Sequence, residues 1–584
     1  MELQGLGTRL RTLVLLAPLL GALFIPGGVS DARAAGSVTK TVTKTVTATN
    51  PNAPVLVTSQ NRPPAGYRLT AARVERIAAA NPTVRAELHR HPEAIPYEYT
   101  KGAGTWQVSW FSSGRHQVEL MQVYVDDTTG RVTQAWTGFQ VAWSMARGYP
   151  GAFGRRVNAW YVWVPLCLLF VAPFLPWRRR PSLLHLDLVM LLGFSISLAL
   201  FNNARIGLSV PLVYPFLIYL LGRMLLLAFG CGRAQAPLRL IVPVSWLAVG
   251  VIFLVGFRVG LNVTNSNVID VGYAGVIGAD KLLHGKPLYG HWPTDNAQGD
   301  TYGPVNYYAY VPFRAIFGWS GSWDDLPAAH AAAIAFDLLT LIGLFFLGRR
   351  IRGPTLGVVL AYAWAAYPFT LWSLSSNTND TLVALLIVVA LLVITSAPAR
   401  GVAAALAGLT KFAPLALGPL FLRGRGPAWP SKRSQAAYVI AYGLTLLLAM
   451  LPVLLDNNLH AFWRDSIVYQ ANRVTPFSVW GLWGGLSFEQ HLVEGAAVAL
   501  AILVAFVPRQ RGVVEVAALG AAVVIALQLA AGYWLYSYIV WFFPLVAIAI
   551  FGSFPARQAE PEESRRRLGV PALNASDVEP VVAS

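Results

Sequence analysis

The 584-residue chain is apolar and basic at once: hydrophobic residues make up 55%, charged residues only 12%, and the formal net charge is +17. A water-soluble domain carries roughly twice that share of charge, so the composition excludes an ordinary soluble enzyme and points to a membrane protein. The Lys and Arg residues fall mostly in short clusters between apolar runs, where membrane topology accounts for them and nucleic acid is not implied as a partner. With only Cys167 and Cys231, neither a disulfide framework nor a Cys-rich metal site is expected.

Residues 1–35 read as a secretory signal, with Arg9 and Arg11, an apolar run over 13–25 and the small-residue pattern Ala32-Arg33-Ala34; an uncleaved first helix is the alternative. Residues 36–60, with the repeat VTKTVTKTVTATN, have no core-forming periodicity and read as a Thr-rich linker. Residues 61–140 differ in character. Thr70 is placed to cap a helix through Ala80, and Asn81-Pro82 restarts one towards Arg90, because Asn caps and Pro suits the first helical position. Alternating segments at 106–111 and 117–126, a DDTTG turn and RVTQAWTG then predict a strand meander. This order resembles a PepSY-like α+β domain, which implies an extracytoplasmic binding or regulatory module; a plain spacer or a substrate-presenting surface is the other reading.

From Val157 onward, apolar runs alternate with basic clusters. The positive-inside rule sends the first span inward to Arg178-Arg179-Arg180, and spans at 184–203, 208–229 and 240–258 return the chain to the outside. Spans at 328–348, 356–374 and 380–397 follow. The run 401–422 has Arg400 before it and Arg423, Arg425, Lys432 and Arg433 after it, so a re-entrant hairpin broken near 411–414 keeps both clusters on one side. Spans at 436–455, 489–507, 513–530 and 537–553 complete a polytopic α-helical membrane protein of about eleven spans plus one re-entrant element. In this division, 157–239 holds additional N-terminal membrane helices, 240–553 a membrane core, and 556–584 a charged, disordered cytoplasmic tail.

The candidate chemistry lies in the outward acid-rich segment 268–304 and in the few polar residues of the core. An aspartate just after a span is placed to act as a general base towards an acceptor hydroxyl. Asp270 is the first candidate, with Asp280 and Asp300 behind it. Val271, Ile277, Leu282 and Leu283 predict that the segment after Asp270 lies as an amphipathic helix on the surface. Tyr302, in GDTYGP, offers an aromatic face to a sugar. Lys411 sits inside AAALAGLTKFAPLALGPLFL, and an ionisable group in such a run implies an anionic partner. Arg464 and Arg473 occupy an outward loop and suit a phosphate. Asn377, Asn379 and Asp380 close another outward turn, and 533–544 forms an aromatic belt or platform. No His/Asp spacing suits a metal; His284 and His291 read as loop residues.

Asp270 with nearby Tyr273, the GAD…HGKPLYG segment, GDTYGPVNYYAYVPF, Lys-Phe-Ala-Pro at 411–414 and the Tyr-x-x-Trp-x-x-Pro pattern that starts at Tyr538 together resemble polyprenol-phosphate-sugar-dependent glycosyltransferases of the GT-C type, closest to family 87 with its α-mannosyltransferases. The resemblance spans 240–553. It implies an inverting hexosyltransferase, with mannose the expected sugar. A polyprenyl-phosphate sugar is the donor and a cell-envelope glycan or glycolipid the acceptor, with no further cofactor. Asp270 would be the base, Tyr273 and Tyr538 would bind substrate, and Lys411, Arg464 or Arg473 would meet the departing phosphate. The family usually has three residues between the loop Asp and its Tyr where this chain has two, which keeps Asp280 and Asp300 in play. A transporter or flippase of lipid-linked substrates is the competing expectation, and a sensor whose spans serve only as an anchor is a third.

Overall fold

The computed structural model describes residues 54–114, 117–148, 153–175, 182–473 and 475–555. The expected signal segment, most of the Thr-rich linker, the Arg178-Arg179-Arg180 cluster and the tail 556–584 lie outside the described residues.

The N-terminal unit is a five-stranded antiparallel meander, β1 (Pro54–Leu56), β2 (Ile95–Lys101), β3 (Thr105–Phe111), β4 (Glu119–Asp126) and β5 (Val132–Thr137), in simple sequential order. Two helices, α1 (Ala71–Ala79) and α2 (Pro82–Arg90), cover one face. Alternation along β3 and β4 sends Trp106, Val108, Trp110, Met121, Val123 and Val125 into the core against Val74, Ala78 and Val84. Asn81 caps α2 by accepting from the Thr83 amide at 3.0 Å, whereas the Thr70 side chain makes no capping bond. Asp127 fastens the segment before α1 to the sheet, accepting from Trp106 Nε1 (2.8 Å) and from the amides of Arg68 (2.7 Å) and Leu69 (2.9 Å). The sheet begins at Pro54, inside the stretch read as linker, because a three-residue edge strand carries no periodicity of its own.

The rest is a helical assembly. Among the described residues, six helices are long and apolar enough to cross a membrane: α4 (Leu183–Asn202), α5 (Ile206–Ala228), α6 (Val244–Asn265), α9 (Pro327–Arg352), α15 (Lys432–Leu455) and α17 (Val513–Ala530). A seventh arises if α10 (Pro354–Ala366) and α11 (Pro368–Ser375), bent by 56° at Tyr367, count as one span. This is fewer than the apolar runs predict. Helix α3 (Trp160–Val171), α12 (Asp380–Leu392) and α18 (Ile539–Gly552) are apolar but short, and α16 (Ser487–Leu503) also falls below that length. Their hydrophobic runs continue into 3₁₀ turns or polar breaks, which hydropathy alone does not separate from helix.

Two breaks shape the core. Pro368 has no amide hydrogen, so the α10–α11 junction frees carbonyls; Arg258 Nη1 meets Ala365 O at 3.1 Å and Thr370 Oγ1 bonds Trp364 O at 2.6 Å. Arg258 also pairs with buried Asp337, with Nη2–Oδ1 at 2.5 Å, and so locks α6 to α9 beside the bend. The second break lies at Lys411, between α13 (Ala397–Thr410) and the short turns leading into α14 (Gly418–Arg423). Arg400 Nε donates to Phe421 O at 2.6 Å and its Nη1 to Ile394 O at 2.9 Å. Arg400 thus ties the start of α13 to the end of α14.

The additional helices α4 and α5 pack on the last two. Tyr536, just before α18, hydrogen-bonds the hydroxyls of Ser197 (2.7 Å) and Ser209 (2.8 Å), and Phe194 packs against Phe542. They thereby buttress the end of the bundle where the candidate site lies.

Candidate functional site

Helix α7 (Asp270–Leu283) follows α6 after a four-residue link. It is not a surface helix: 272–279 are all buried, and only its ends reach solvent. The reason is a glycine at every third position. A Cβ on Gly275 or Gly278 would collide with the rings of Tyr310 and Tyr307 on α8 (Pro304–Phe317), and one on Gly272 would lie 2.2 Å from Asn377 O. This stripe lets α8 and the polar 375–381 turn press close, and it fixes Asp270 at the rim of a recess.

Asp270 is the first residue of α7, and its carboxylate is open to water while protein surrounds the site. No described cation comes within ion-pair distance of it. Burial pushes its pKa above the ordinary carboxylate value, against the pull of Arg473, the Val271 amide and Lys411, with Asp380 adding to the rise. Asn296 holds the backbone by donating to Asp270 O at 2.9 Å.

Two cations face this recess, and their circumstances differ. Lys411 Nζ is 2.5 Å from Asp380 Oδ1, and the same oxygen accepts from Trp541 Nε1 at 2.7 Å. Three rings surround the ammonium, with Trp541 at 5.1 Å, Tyr538 at 5.3 Å and Tyr302 at 5.5 Å to their centroids. Tyr538 stacks on Trp541 at 4.3 Å. Lys411 reaches Tyr302 because Gly303 sits against Leu409 O, where a Cβ would stand 2.0 Å away. Arg473 has no carboxylate partner among the described residues. Its guanidinium lies 3.7 Å over the Tyr533 ring and 5.6 Å from Tyr469, and its Nε makes no hydrogen bond among them. Lys411 is therefore already neutralised, while Arg473 keeps both charge and donors for an incoming anion.

The other sequence candidates lie elsewhere. Asp280 is held by Arg314, with Nη2–Oδ1 at 2.7 Å, and by His284 at 3.3 Å. Asp300 is largely buried: its Oδ2 accepts from the Gly290 amide at 2.8 Å, its carbonyl accepts from Ser466 Oγ, and burial raises its pKa. It clamps the 284–303 loop together with Lys281, whose ammonium donates to Gly290 O at 2.8 Å and to the carbonyls of Pro287 and Leu288. Tyr273 is buried against Trp323 (5.0 Å between centroids) and its hydroxyl reaches Asp295 at 3.3 Å, away from the recess. Arg464 is exposed and paired with its neighbour Asp465 at 2.6 Å.

The structure thus brings Asp270, Tyr302, Lys411, Arg473 and Tyr538 together and leaves Tyr273, Asp280, Asp300 and Arg464 apart. It adds Asp380, Tyr533 and Trp541. The turn carrying Asp380 is fully buried: Asn377 Oδ1 accepts from Asn262 at 2.9 Å and Asn379 donates to Asn306 at 2.7 Å. A lysine inside an apolar run demands an anion nearby, and Asp380, next to another apolar run, satisfies that demand. Among the described residues no three His, Cys, Asp or Glu side chains gather as a metal site. Comparison of the sequence with protein-family models and with curated proteins found no match.

Proposed function

We propose that the chain is an inverting membrane glycosyltransferase that moves a hexose from a polyprenyl-phosphate donor to a hydroxyl of a cell-envelope glycan or glycolipid. The observation that carries this reading is an unpaired, water-accessible carboxylate, Asp270, sharing a recess with an unneutralised, ring-held Arg473 at the end of apolar helices. The resemblance of 240–553 to GT-C enzymes supports it. The basic residues Arg349, Arg350, Arg352 and Arg425 lie at the far ends of these helices, so the positive-inside rule assigns the recess to the outer face.

In this mechanism the acceptor O–H gives its proton to an Asp270 oxygen as the acceptor oxygen attacks the anomeric carbon. The bond from that carbon to the phosphate oxygen breaks, and the polyprenyl phosphate departs with the electron pair. Attack opposite the leaving group inverts the centre. Charge growing on the phosphate is met by the Arg473 guanidinium, a cation held over the Tyr533 ring before that charge develops. The raised pKa of Asp270 makes it a stronger base than an aspartate at the ordinary carboxylate value. Tyr302, Tyr533 and Tyr538 supply flat faces for sugar and isoprenoid.

A second reading, a transporter of lipid-linked substrates, draws on the broken helices at Tyr367 and Lys411, since discontinuous helices near a binding site are a transporter device. Incubating purified protein with a panel of polyprenyl-phosphate sugars and extracted envelope lipids separates the two. A transferase releases polyprenyl phosphate, while a transporter leaves the donor intact.

A further inference from the structure

At the opposite ends of α12 and α18 from Asp380 and Trp541 lies a cavity of about 350 Å³. Helix α18 alone sets it some 21 Å from the recess, at about 1.5 Å per residue. Arg233, Arg350, Arg352 and Arg425 line it against a single carboxylate, Glu515. Topology explains basic residues at helix ends; it does not explain their convergence from three separate segments on one cavity.

The arginines are held ready for a ligand. Glu515 is used on both oxygens: Oε2 caps α17 by accepting from the Gly512 amide at 2.6 Å, and Oε1 pairs with Arg233 at 2.5 Å. Arg350 spends Nη1 on Leu392 O, at the end of α12, and Nη2 on Thr395 Oγ1. Arg352 spends Nε on Gly552 O, at the end of α18, at 2.9 Å. These helix C-termini orient the guanidinium groups without neutralising them. Arg425 has no hydrogen bond or ion pair among the described residues. Three arginines thus face the cavity with unspent donors and no carboxylate of their own, beside the N-terminus of an 18-residue helix.

We propose that this cavity binds a phosphate group that carries no compensating cation of its own, with an anionic phospholipid headgroup as its occupant. Several planar guanidinium groups converging on one point fit phosphate oxygens better than a single carboxylate, and basic pockets between apolar helices suit lipid phosphates. The site is independent of the transfer reading, because its ligand is measured by binding alone.

The test uses the purified full chain in detergent, with native mass spectrometry after mixing with dioleoyl phosphatidic acid or dioleoyl phosphatidylcholine. The expected result is preferential retention of phosphatidic acid, lowered about fivefold by Arg425→Gln and further by adding Arg350→Gln, and unchanged in Asp270→Asn. Arg425→Gln removes no structural bond, so its effect is not a folding effect. Inorganic pyrophosphate is the soluble probe. Displacement of the lipid by pyrophosphate confirms a phosphate site, and pyrophosphate binding without lipid preference moves its ligand to the soluble pool. Equal retention of both lipids with no pyrophosphate binding, or phosphatidic acid retention untouched by both substitutions, overturns the proposal.

Discussion

Replacing Lys411 by Met leaves the Asp380 carboxylate buried with one hydrogen bond, from Trp541, on Oδ1 and no described partner on Oδ2. Breaking a buried ion pair from one side costs about 3–5 kcal/mol, because the survivor stays charged and desolvated. That is a large part of a typical stability of about 5–15 kcal/mol. Removing the other partner is milder. After Asp380→Asn, the Lys411 ammonium still sees three aromatic rings between 5.1 and 5.5 Å, each worth roughly 0.5–2 kcal/mol when desolvated. Lys411→Met should therefore destabilise more than Asp380→Asn, and the double variant should cost less than the sum by about 2 kcal/mol. Denaturant titration in detergent, followed by tryptophan emission, measures all four corners of the cycle. Additivity within about 0.5 kcal/mol would mean that the two groups do not share one buried interaction, and the assignment of Lys411 as neutralised would fall.

Arg473→Met, which keeps bulk over Tyr533 but removes charge, should slow turnover by about 100-fold or more, with little change in stability; steady-state kinetics with a polyprenyl-phosphate sugar checks it. Gly303→Val should destabilise by about 1–3 kcal/mol and distort the approach of Tyr302 to Lys411, since its Cβ would meet Leu409 O at 2.0 Å; the loss appears as a lowered thermal midpoint. Tyr273→Phe removes only a 3.3 Å hydroxyl contact to Asp295 and should leave turnover within about twofold, which a single rate measurement decides.

The sequence made the site partly legible through residue types that are costly where they stand. A lysine inside an apolar run and an aspartate directly after a span are both expensive, and Lys411 and Asp270 prove to share one recess. Asp280 lies in the same acid-rich segment as Asp270, yet Arg314, 34 residues on, takes its carboxylate. Pairing across that separation depends on how α7 packs on α8, and periodicity does not encode it. In the sequence Asp380 reads only as a turn residue, because its burial comes from α6 and α8 packing over the 375–381 segment. The glycines of α7 carried a readable message: three at spacing three form a face for close packing, which outweighs the amphipathic pattern of Val271, Ile277, Leu282 and Leu283. Helix positions followed from apolar runs and Pro starts, but helix lengths did not, since hydropathy runs through the 3₁₀ turns that end α3 and precede α18.

The most direct test of the account is the pH dependence of polyprenyl phosphate release by wild type and Asp270→Asn. A base must be ionised to act, so wild-type kcat/KM should fall as pH drops through the Asp270 pKa, a midpoint above the ordinary aspartate value of about 3.9. Asp270→Asn should lose about 100- to 10,000-fold in rate and with it that acid limb. Undiminished release by a folded Asp270→Asn protein, with the acid limb retained, would contradict Asp270 as the base.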